Sequence, residues 1–187
     1  RIRCERVDFK MAGLPREDFP SLPDGKAGKG IEIPAAVLRA IIQRTKFAIT
    51  AEDARYYLAG ALLVLEKETA AMVATDGHRL AWAQRKTALK VPETTRVLVP
   101  RKAISELERL IEEIGAEEMV AFQQGDSHLI FTAGGRTLAS KAVEAQFPAY
   151  EKVVGVTGDK KVTVGREVLL SAIRRVSLLS SERGRAV

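Results

Sequence analysis

Residues 31 to 48 read IEIPAAVLRAIIQRTKFA, a short alternating stretch that passes through a proline into an amphipathic pattern. Pro34 lies where a helix would begin, and apolar residues then recur at intervals of three and four. The stripe that we expect to be buried consists of Val37, Leu38, Ile41, Ile42 and Thr45. The pattern therefore predicts a β-strand followed directly by an α-helix.

The same pattern occurs a second time in residues 162 to 179, VTVGREVLLSAIRRVSLL. At one constant offset the apolar positions of the two copies coincide, and so do Arg44 and Arg175. Upstream, FPSL at residues 19 to 22 matches FPAY at residues 147 to 150 at a slightly shorter offset. Any strand followed by a helix shares part of this pattern, but two matches in the same order indicate a repeat of about 130 residues.

A repeat of this length divides the chain into three parts. Residues 1 to 28 would be the tail of one unit, 29 to 158 a whole unit, and 159 to 187 the head of the next. The two connections are rich in the Gly, Pro, Asp and Lys residues that are typical of linkers. Because the chain starts at Arg1 rather than at a methionine, we expect it to be a piece of a longer protein.

Within the whole unit, the apolar pattern changes between helical and strand periods. A second helix is predicted over RKAISELERLIEEIG, with Gly115 as its stop and a buried stripe of Ile104, Leu107, Leu110, Ile111 and Ile114. Strands are predicted over YLAGALLVLE, AAMVAT, HRLAWAQR, RVLVP, MVAFQQ, HLIFTA and TLASKAV, with hairpin turns at AGGR and QQGDS. The predicted fold class is α+β, with many antiparallel strands and two helices.

The composition is typical of a soluble globular protein and argues against several classes. Apolar residues make up 46% and charged residues 29% of the 187-residue chain, and no apolar run is long enough for a membrane span. Cys4 is the only cysteine, so we expect no intrachain disulfide and a reducing, cytosolic setting. The net charge of +6 raises the expectation of a polyanionic partner without identifying one.

The segment VATDGHRLAWA, residues 73 to 83, places Asp76 close to His78, one of only two histidines. These two residues could be an acid and base pair, part of a metal site, a tight turn or part of a docking surface. A hydrolytic triad needs a nucleophile, and a metal site needs three or four suitably spaced ligands. Because the sequence has no HExxH or CxxC pattern, we predict no catalytic residue, no metal and no cofactor. An Asp-Gly pair between two apolar runs predicts a hairpin turn.

Basic residues offer a second candidate site. Arg39 and Lys46 lie on the face of the first helix opposite its apolar stripe, where a solvated surface is the plain alternative. Arg101 and Lys102 begin the second helix, but several glutamates follow them. RYY at residues 55 to 57 combines a cation with two aromatic rings, which can contact phosphate and stack on bases, although it could equally be a strand edge.

Over nearly its whole length, the sequence resembles the bacterial DNA polymerase III beta subunit family, the sliding clamps. The resemblance is carried by LPREDFPSLP, IPAAVLRAIIQRTKFAIT, EDARYYLAG, VATDGHRLA, VPRKAISEL, SKAVEAQFPAYEKV and LLSAIRRVSLLSSERGRAV. It implies a clamp fold with antiparallel sheets outside and two helices on the inner face of each domain. Two three-domain subunits would close head to tail around duplex DNA. This chain would then hold the tail of the first domain (1 to 28), the complete middle domain (29 to 158) and the start of the third (159 to 187).

The resemblance also implies a function and its residues. It implies a non-enzymatic processivity factor of bacterial replication, cytoplasmic and located at replication forks, with no cofactor and no membrane contact. The implied partners are double-stranded DNA bound without sequence preference, and the replicative polymerase, clamp loader and repair polymerases bound through short linear motifs. The implied DNA contacts are Arg39, Lys46, Arg55, Tyr56, Tyr57, Arg101 and Lys102. The implied walls of a hydrophobic peptide pocket are Leu58, Thr75, Gly77, His78, Arg79, Leu80, Pro148, Lys152 and Val153, with further walls from the end of the third domain.

Two other interpretations are weaker on the sequence but belong to different classes. A small α+β enzyme could use Asp76 and His78 as a charge-relay pair if it had a catalytic partner, which we do not find in the sequence. A sequence-specific nucleic-acid module would need a recognition helix or a zinc motif, and neither pattern is present.

Overall fold

The computed structural model describes residues 2–18, 30–50, 53–155 and 159–178, and only the backbone of Asp53, Ala54 and Tyr56. The chain divides into two compact units, Arg1–Tyr150 and Glu151–Val187. The FPSL segment and most of the first predicted linker lie outside the described residues.

The first unit begins with an antiparallel hairpin of β1 (Ile2–Cys4) and β2 (Val7–Phe9). The remaining regular elements follow in the order β3 (Ile31–Pro34), α1 (Ala35–Thr45), β4 (Gly60–Glu66), β5 (Thr69–Thr75), β6 (Leu80–Lys86), β7 (Thr95–Pro100), α2 (Arg101–Ile114), β8 (Met119–Gln124), β9 (His128–Ala133) and β10 (Arg136–Lys141). Short 3-10 helices occupy Arg16–Asp18, Lys46–Ala48 and Asp53–Leu58. The predicted helices and strands are thus confirmed, with small shifts of their ends.

The first unit contains two antiparallel four-stranded sheets, with strand orders β6-β5-β4-β7 and β10-β9-β8-β3. The order strand, helix and three strands occurs twice, first from β3 to β6 and then from β7 to β10, counting β3 and β7 as the leading strands. Each sheet takes three strands from one half and one leading strand from the other. Neither half can therefore complete its sheet alone, which joins the two halves into one folded unit.

Both helices begin directly after a proline and pack their apolar stripes into one core. Pro34 and Pro100 are extended residues that end a strand, and proline has no backbone N–H that the first helical turn would leave unpaired. α2 ends at Gly115, whose φ of +94° favours glycine. Val37 and Ile114 were predicted to be buried but are only partly so, whereas Ala35 and Ala103 near the starts of the two helices are buried in the core.

The sheet β6-β5-β4-β7 has apolar side chains on both faces. One face joins the main core, which also contains the Phe122 and Phe131 rings with centroids 5.0 Å apart. The other face carries a smaller buried cluster of Leu62, Val64, Ala71 and Val73, which we call the outer cluster. Leu80, Phe147 and Tyr150 are half-buried and pack against the outer cluster.

The second unit contains α3 (Glu151–Val154) and α4 (Arg166–Ser177). α4 lies where the repeat predicts a helix, but the strand predicted just before it is wrong, since residues 161 to 165 are irregular. A strand is stabilised by a hydrogen-bonded neighbour, as β3 is by β8, and residues 161 to 165 pair with no strand among the described residues. Within the described residues, no helix is both long enough and apolar enough to span a membrane.

Candidate functional site

The turn between β5 and β6, residues 75 to 80, is held by its own side chains. The Thr75 hydroxyl donates to the Arg79 carbonyl oxygen at 2.7 Å and accepts from the Gly77 N–H at 3.1 Å. Oδ1 of Asp76 accepts from the backbone N–H groups of His78 and Arg79, each at 3.0 Å. The hairpin turn predicted from Asp-Gly is confirmed, and it is one that uses the threonine and aspartate side chains to satisfy its backbone.

The Asp76 carboxylate accepts its hydrogen bonds from within this turn. Hydrogen bonds from the backbone of Arg79 and then of His78 lower the pKa of Asp76 from its ordinary value of 3.8, and the nearby guanidinium of Arg79 adds to the effect. Nε of Arg79 donates to Oδ2 at 3.1 Å. His78 is exposed, and the described residues hold no group of three His, Cys, Asp or Glu side chains that could bind a metal ion. The geometry favours a structural role for Asp76 over an acid and base pair.

Two arginines fasten the turn to the rest of the unit. Nη2 of Arg79 donates to the Phe47 carbonyl oxygen at 2.9 Å, and its guanidinium carbon lies 5.5 Å from the centroid of the Phe47 ring. Nη1 of Arg55 donates to the Asp76 carbonyl oxygen at 3.0 Å. Gly77 has a φ of +88°, and a Cβ there would lie 2.9 Å from Nη1 of Arg55, so both backbone and space favour glycine.

An apolar surface lies beside the turn. Leu58 is 3% exposed, and its Cδ1 is 4.0 Å from the position of a Cβ on Gly77. Leu80 packs against the outer cluster from the first position of β6. Two positions further along β6, on the same face, Trp82 is 45% exposed and lies opposite Val73 of the cluster. Leu80 and Trp82 are therefore the accessible apolar side chains beside the turn, and the outer cluster lies buried on the same face of the sheet.

The segment that contains FPAY covers part of this surface. The Phe147 and Tyr150 rings pack edge to face, with centroids 6.4 Å apart, on the outer cluster. Arg96 of β7 donates to the Tyr150 hydroxyl at 3.3 Å and lies 5.9 Å from the centroid of its ring. Pro148, one of the predicted pocket residues, lies between these two aromatic residues and is exposed.

Six of the predicted pocket residues lie together in the first unit: Leu58, Thr75, Gly77, His78, Arg79 and Leu80. Lys152 and Val153 are exposed residues of α3 in the second unit, where Val153 is 60% exposed. The sequence interpretation missed the outer cluster, the two aromatic residues of FPAY, and Trp82. The signal was present, because the uninterrupted apolar runs of β4 and β5 are typical of strands buried on both faces.

The predicted DNA contacts lie on several elements. Arg39, Lys46, Tyr57, Arg101 and Lys102 are exposed, the last two lining a cavity of about 690 Å³ at the start of α2. Arg55 is half-buried, with one of its nitrogens directed at the turn rather than at solvent. Nζ of Lys46 is 2.5 Å from Oε2 of Glu108, so this lysine has an acidic partner on α2. The Tyr56 side chain lies outside the described residues.

Comparison with known proteins identifies the family to which the chain belongs. Residues 32–149 match the family model for the DNA polymerase III beta subunit, central domain. The match covers well over half of the chain and includes both sheets and the turn, and the chain therefore belongs to the DNA polymerase III beta subunit family. The predicted family and α+β clamp fold are confirmed.

Individual relatives agree with this family. The chain is 38% identical over 186 residues to the beta sliding clamp of Pseudomonas putida, a match that covers 100% of this chain and 50% of that protein. The crystal structure of the DNA polymerase III subunit beta from Pseudomonas aeruginosa matches at a TM-score of 0.84 and 39% identity, over 96% of this chain and 48% of that one. A sliding clamp structure from the same organism bound to griselimycin has the same TM-score, identity and coverage. The chain spans about half the length of the curated relatives that it matches.

Proposed function

We propose that the protein carrying this chain is a DNA sliding clamp, a processivity factor that encircles duplex DNA and tethers the replicative polymerase and other enzymes. The observation that carries the proposal is the apolar surface that Leu80 and Trp82 form beside the β5–β6 turn, in a chain whose relatives are named beta sliding clamps. In this proposal the protein performs no catalysis of its own, and the Asp76 carboxylate serves the turn.

The apolar surface would bind short linear motifs of partner proteins. Leu58 and Leu80 would receive the apolar anchors of an extended peptide, and the exposed His78 at the turn would fix its register. Pro148, next to the aromatic residues that pack on the outer cluster, would add to the wall that the first unit supplies. A sliding clamp structure with griselimycin bound supports the presence of a ligand site in this family. Weak capture at a moving ring would raise the local concentration of each enzyme at the primer end.

The helix pair α1 and α2 would face the DNA. Basic side chains on this face, among them Arg39, Arg101 and Lys102, are exposed and can approach phosphate groups. Because a closed ring is retained by topology, these contacts need only be weak and independent of base sequence. In this proposal the helices do not read the base sequence of the DNA.

The domain plan and assembly belong to the same proposal. Residues 1 to 28, 29 to 158 and 159 to 187 would be the tail of the first, the whole second and the start of the third clamp domain, and two full-length subunits would form a head-to-tail ring. The family match over residues 32–149 and the helix at Arg166–Ser177 support this plan. Such a ring would act in the bacterial cytoplasm at replication forks.

A peptide titration tests the pocket. A fluorescent peptide carrying a polymerase linear motif is titrated against the full-length protein, its Leu80→Ala variant and its Leu58→Ala, Leu80→Ala double variant. We expect each variant to weaken binding, and the exposed Leu14→Ala variant to leave it unchanged. Equal affinity for the wild type and the folded Leu80→Ala variant would contradict the pocket assignment.

Retention on DNA tests the ring. The full-length protein is loaded onto nicked circular DNA, washed, and then released or retained after a single restriction cut. We expect retention on the circle and loss from the linear product, because only a topological link survives washing at high salt. Equal retention on both forms would contradict the encircling mechanism.

A further inference from the structure

An ion pair joins α2 to the short 3-10 helix that follows α1, next to the face that would meet DNA. Lys46 lies in the 3-10 helix that follows α1, and Glu108 lies in the middle of α2. Their Nζ and Oε2 atoms are 2.5 Å apart. The Lys46 side chain is 47% exposed, whereas the Glu108 side chain is only 12% exposed. The carboxylate is therefore positioned by the packing of α2, while the ammonium group keeps one side toward solvent.

This pairing changes what Lys46 offers to a polyanion. A lysine contributes to non-specific DNA binding by replacing condensed counterions at a phosphate group. A lysine that already has a carboxylate at hydrogen-bond distance must give up that partner first, and the carboxylate also repels the phosphate. Lys46 therefore contributes much less to DNA attraction than its exposure and charge suggest.

We propose that Glu108 competes with DNA phosphate groups for Lys46 and thereby limits the attraction of the helix pair for DNA. The inference rests on the proposed function, since it requires that this face of the protein meets duplex DNA. For a ring that is retained by topology, strong phosphate contacts would only add friction to sliding. Glu108 is then a residue that sets the strength of the DNA contact.

Other acidic residues of α2 differ from Glu108. Glu106 pairs with Arg109 on its own helix at 2.7 Å, and Glu113 pairs with Arg136 of β10. Glu112 is exposed on the same helix. Glu112→Gln therefore removes the same charge from α2 as Glu108→Gln without releasing Lys46, and it serves as the matched control.

The test measures binding of the full-length protein to a short linear duplex by fluorescence anisotropy between 50 and 400 mM salt. One released lysine adds about 0.9 to the magnitude of the slope of log affinity against log salt, or about tenfold in affinity at the low-salt end. We expect this gain for Glu108→Gln and about twofold or less for Glu112→Gln, whose effect is only long-range and screened. We expect Lys46→Gln to change wild-type affinity by less than about twofold and to abolish the gain in the Glu108→Gln background.

Each outcome decides the inference. Equal gains from Glu108→Gln and Glu112→Gln would overturn it, because net charge alone would then explain the effect. A tenfold loss from Lys46→Gln in the wild-type protein would also overturn it, because Lys46 would then bind phosphate despite Glu108. Should the wild-type protein fail to stay on circular DNA, the proposed function falls and this inference falls with it. If Glu108→Gln does not fold, the Lys46→Gln comparison alone decides the question.

Discussion

Replacing Gly77 by alanine should loosen the β5–β6 turn through a specific contact with Arg55. Gly77 has a φ of +88°, and an added Cβ would lie 2.9 Å from Nη1 of Arg55. That nitrogen donates to the Asp76 carbonyl oxygen at 3.0 Å, so moving the guanidinium away breaks this hydrogen bond. The substitution therefore has two costs, one in the backbone and one in the lost bond.

The two costs can be estimated separately. A non-glycine residue at positive φ costs about 1 to 2 kcal/mol. The lost hydrogen bond from a half-buried arginine adds about 1 kcal/mol. We expect Gly77→Ala to destabilise the turn by about 2 to 3 kcal/mol in the wild type, but only by about 1 to 2 kcal/mol in an Arg55→Ala background, where no guanidinium is displaced.

Hydrogen exchange of residues 69 to 86 in the full-length protein measures the free energy of opening this hairpin. Gly115→Ala provides the control, because Gly115 also has positive φ, at +94°, with no atom within 4 Å of an added Cβ. Its cost should be the same with and without Arg55. An equal cost of Gly77→Ala in both backgrounds would contradict a contact between its Cβ and Arg55, and so would equally strong coupling of Gly115→Ala to Arg55.

Three further substitutions test other contacts. The pKa of Asp76 is lowered from 3.8 in the folded state, so its ionised carboxylate stabilises the turn above that pH and the effect is lost as pH falls through the folded-state pKa. We expect Asp76→Asn to lower the free energy of opening the turn at neutral pH. The variant and the wild type should become equally stable as the pH falls below about 3.8. A stability difference that does not depend on pH would contradict this. Gly60→Ala should lower the free energy of unfolding, measured by urea denaturation, by about 3 kcal/mol, because its Cβ would lie 2.3 Å from the Val99 backbone oxygen. A loss well under about 1 kcal/mol would mean that β4 and β7 can move apart at little energetic cost. Arg79→Lys keeps the charge but cannot donate to Asp76 and to Phe47 at the same time, and it should weaken peptide binding about fivefold in the titration. Unchanged affinity would show that peptide binding does not depend on these two hydrogen bonds.

Local patterns in the sequence were sufficient to predict the helices and strands from β3 to β10 and the β5–β6 turn. The helix at 35 to 45 follows from an apolar stripe after Pro34, and the end of α2 at Gly115 follows from a residue that tolerates positive φ. Asp-Gly between two apolar runs predicted the hairpin. These signals are readable because the interactions behind them join residues only a few positions apart.

The resemblance to the family supplied most of the residues of the proposed pocket, and physical reasoning on the sequence alone would not have. Leu58, Leu80 and Pro148 are unremarkable apolar residues in the sequence. The outer cluster could have been inferred from the apolar runs of β4 and β5, but its cover by Phe147 and Tyr150 could not. The segment from 142 to 150 has no periodicity, so nothing in it predicts which sheet face it crosses.

The sequence by itself determined the strands and the two helices from β3 to β10 and the hairpin turns between them, since each depends on local periodicity or on one special backbone residue. Only the tertiary structure decided the partners of the charged side chains. Arg79 bonds Phe47, Arg55 bonds Asp76, and Lys46 bonds Glu108 across long stretches of chain. A long, flexible cation can reach many anions and carbonyl groups, and the one it meets is fixed only when helices and sheets have packed. The sequence pattern predicted that Lys46 is a solvated basic residue, whereas the packing of the helices places it in an ion pair with Glu108.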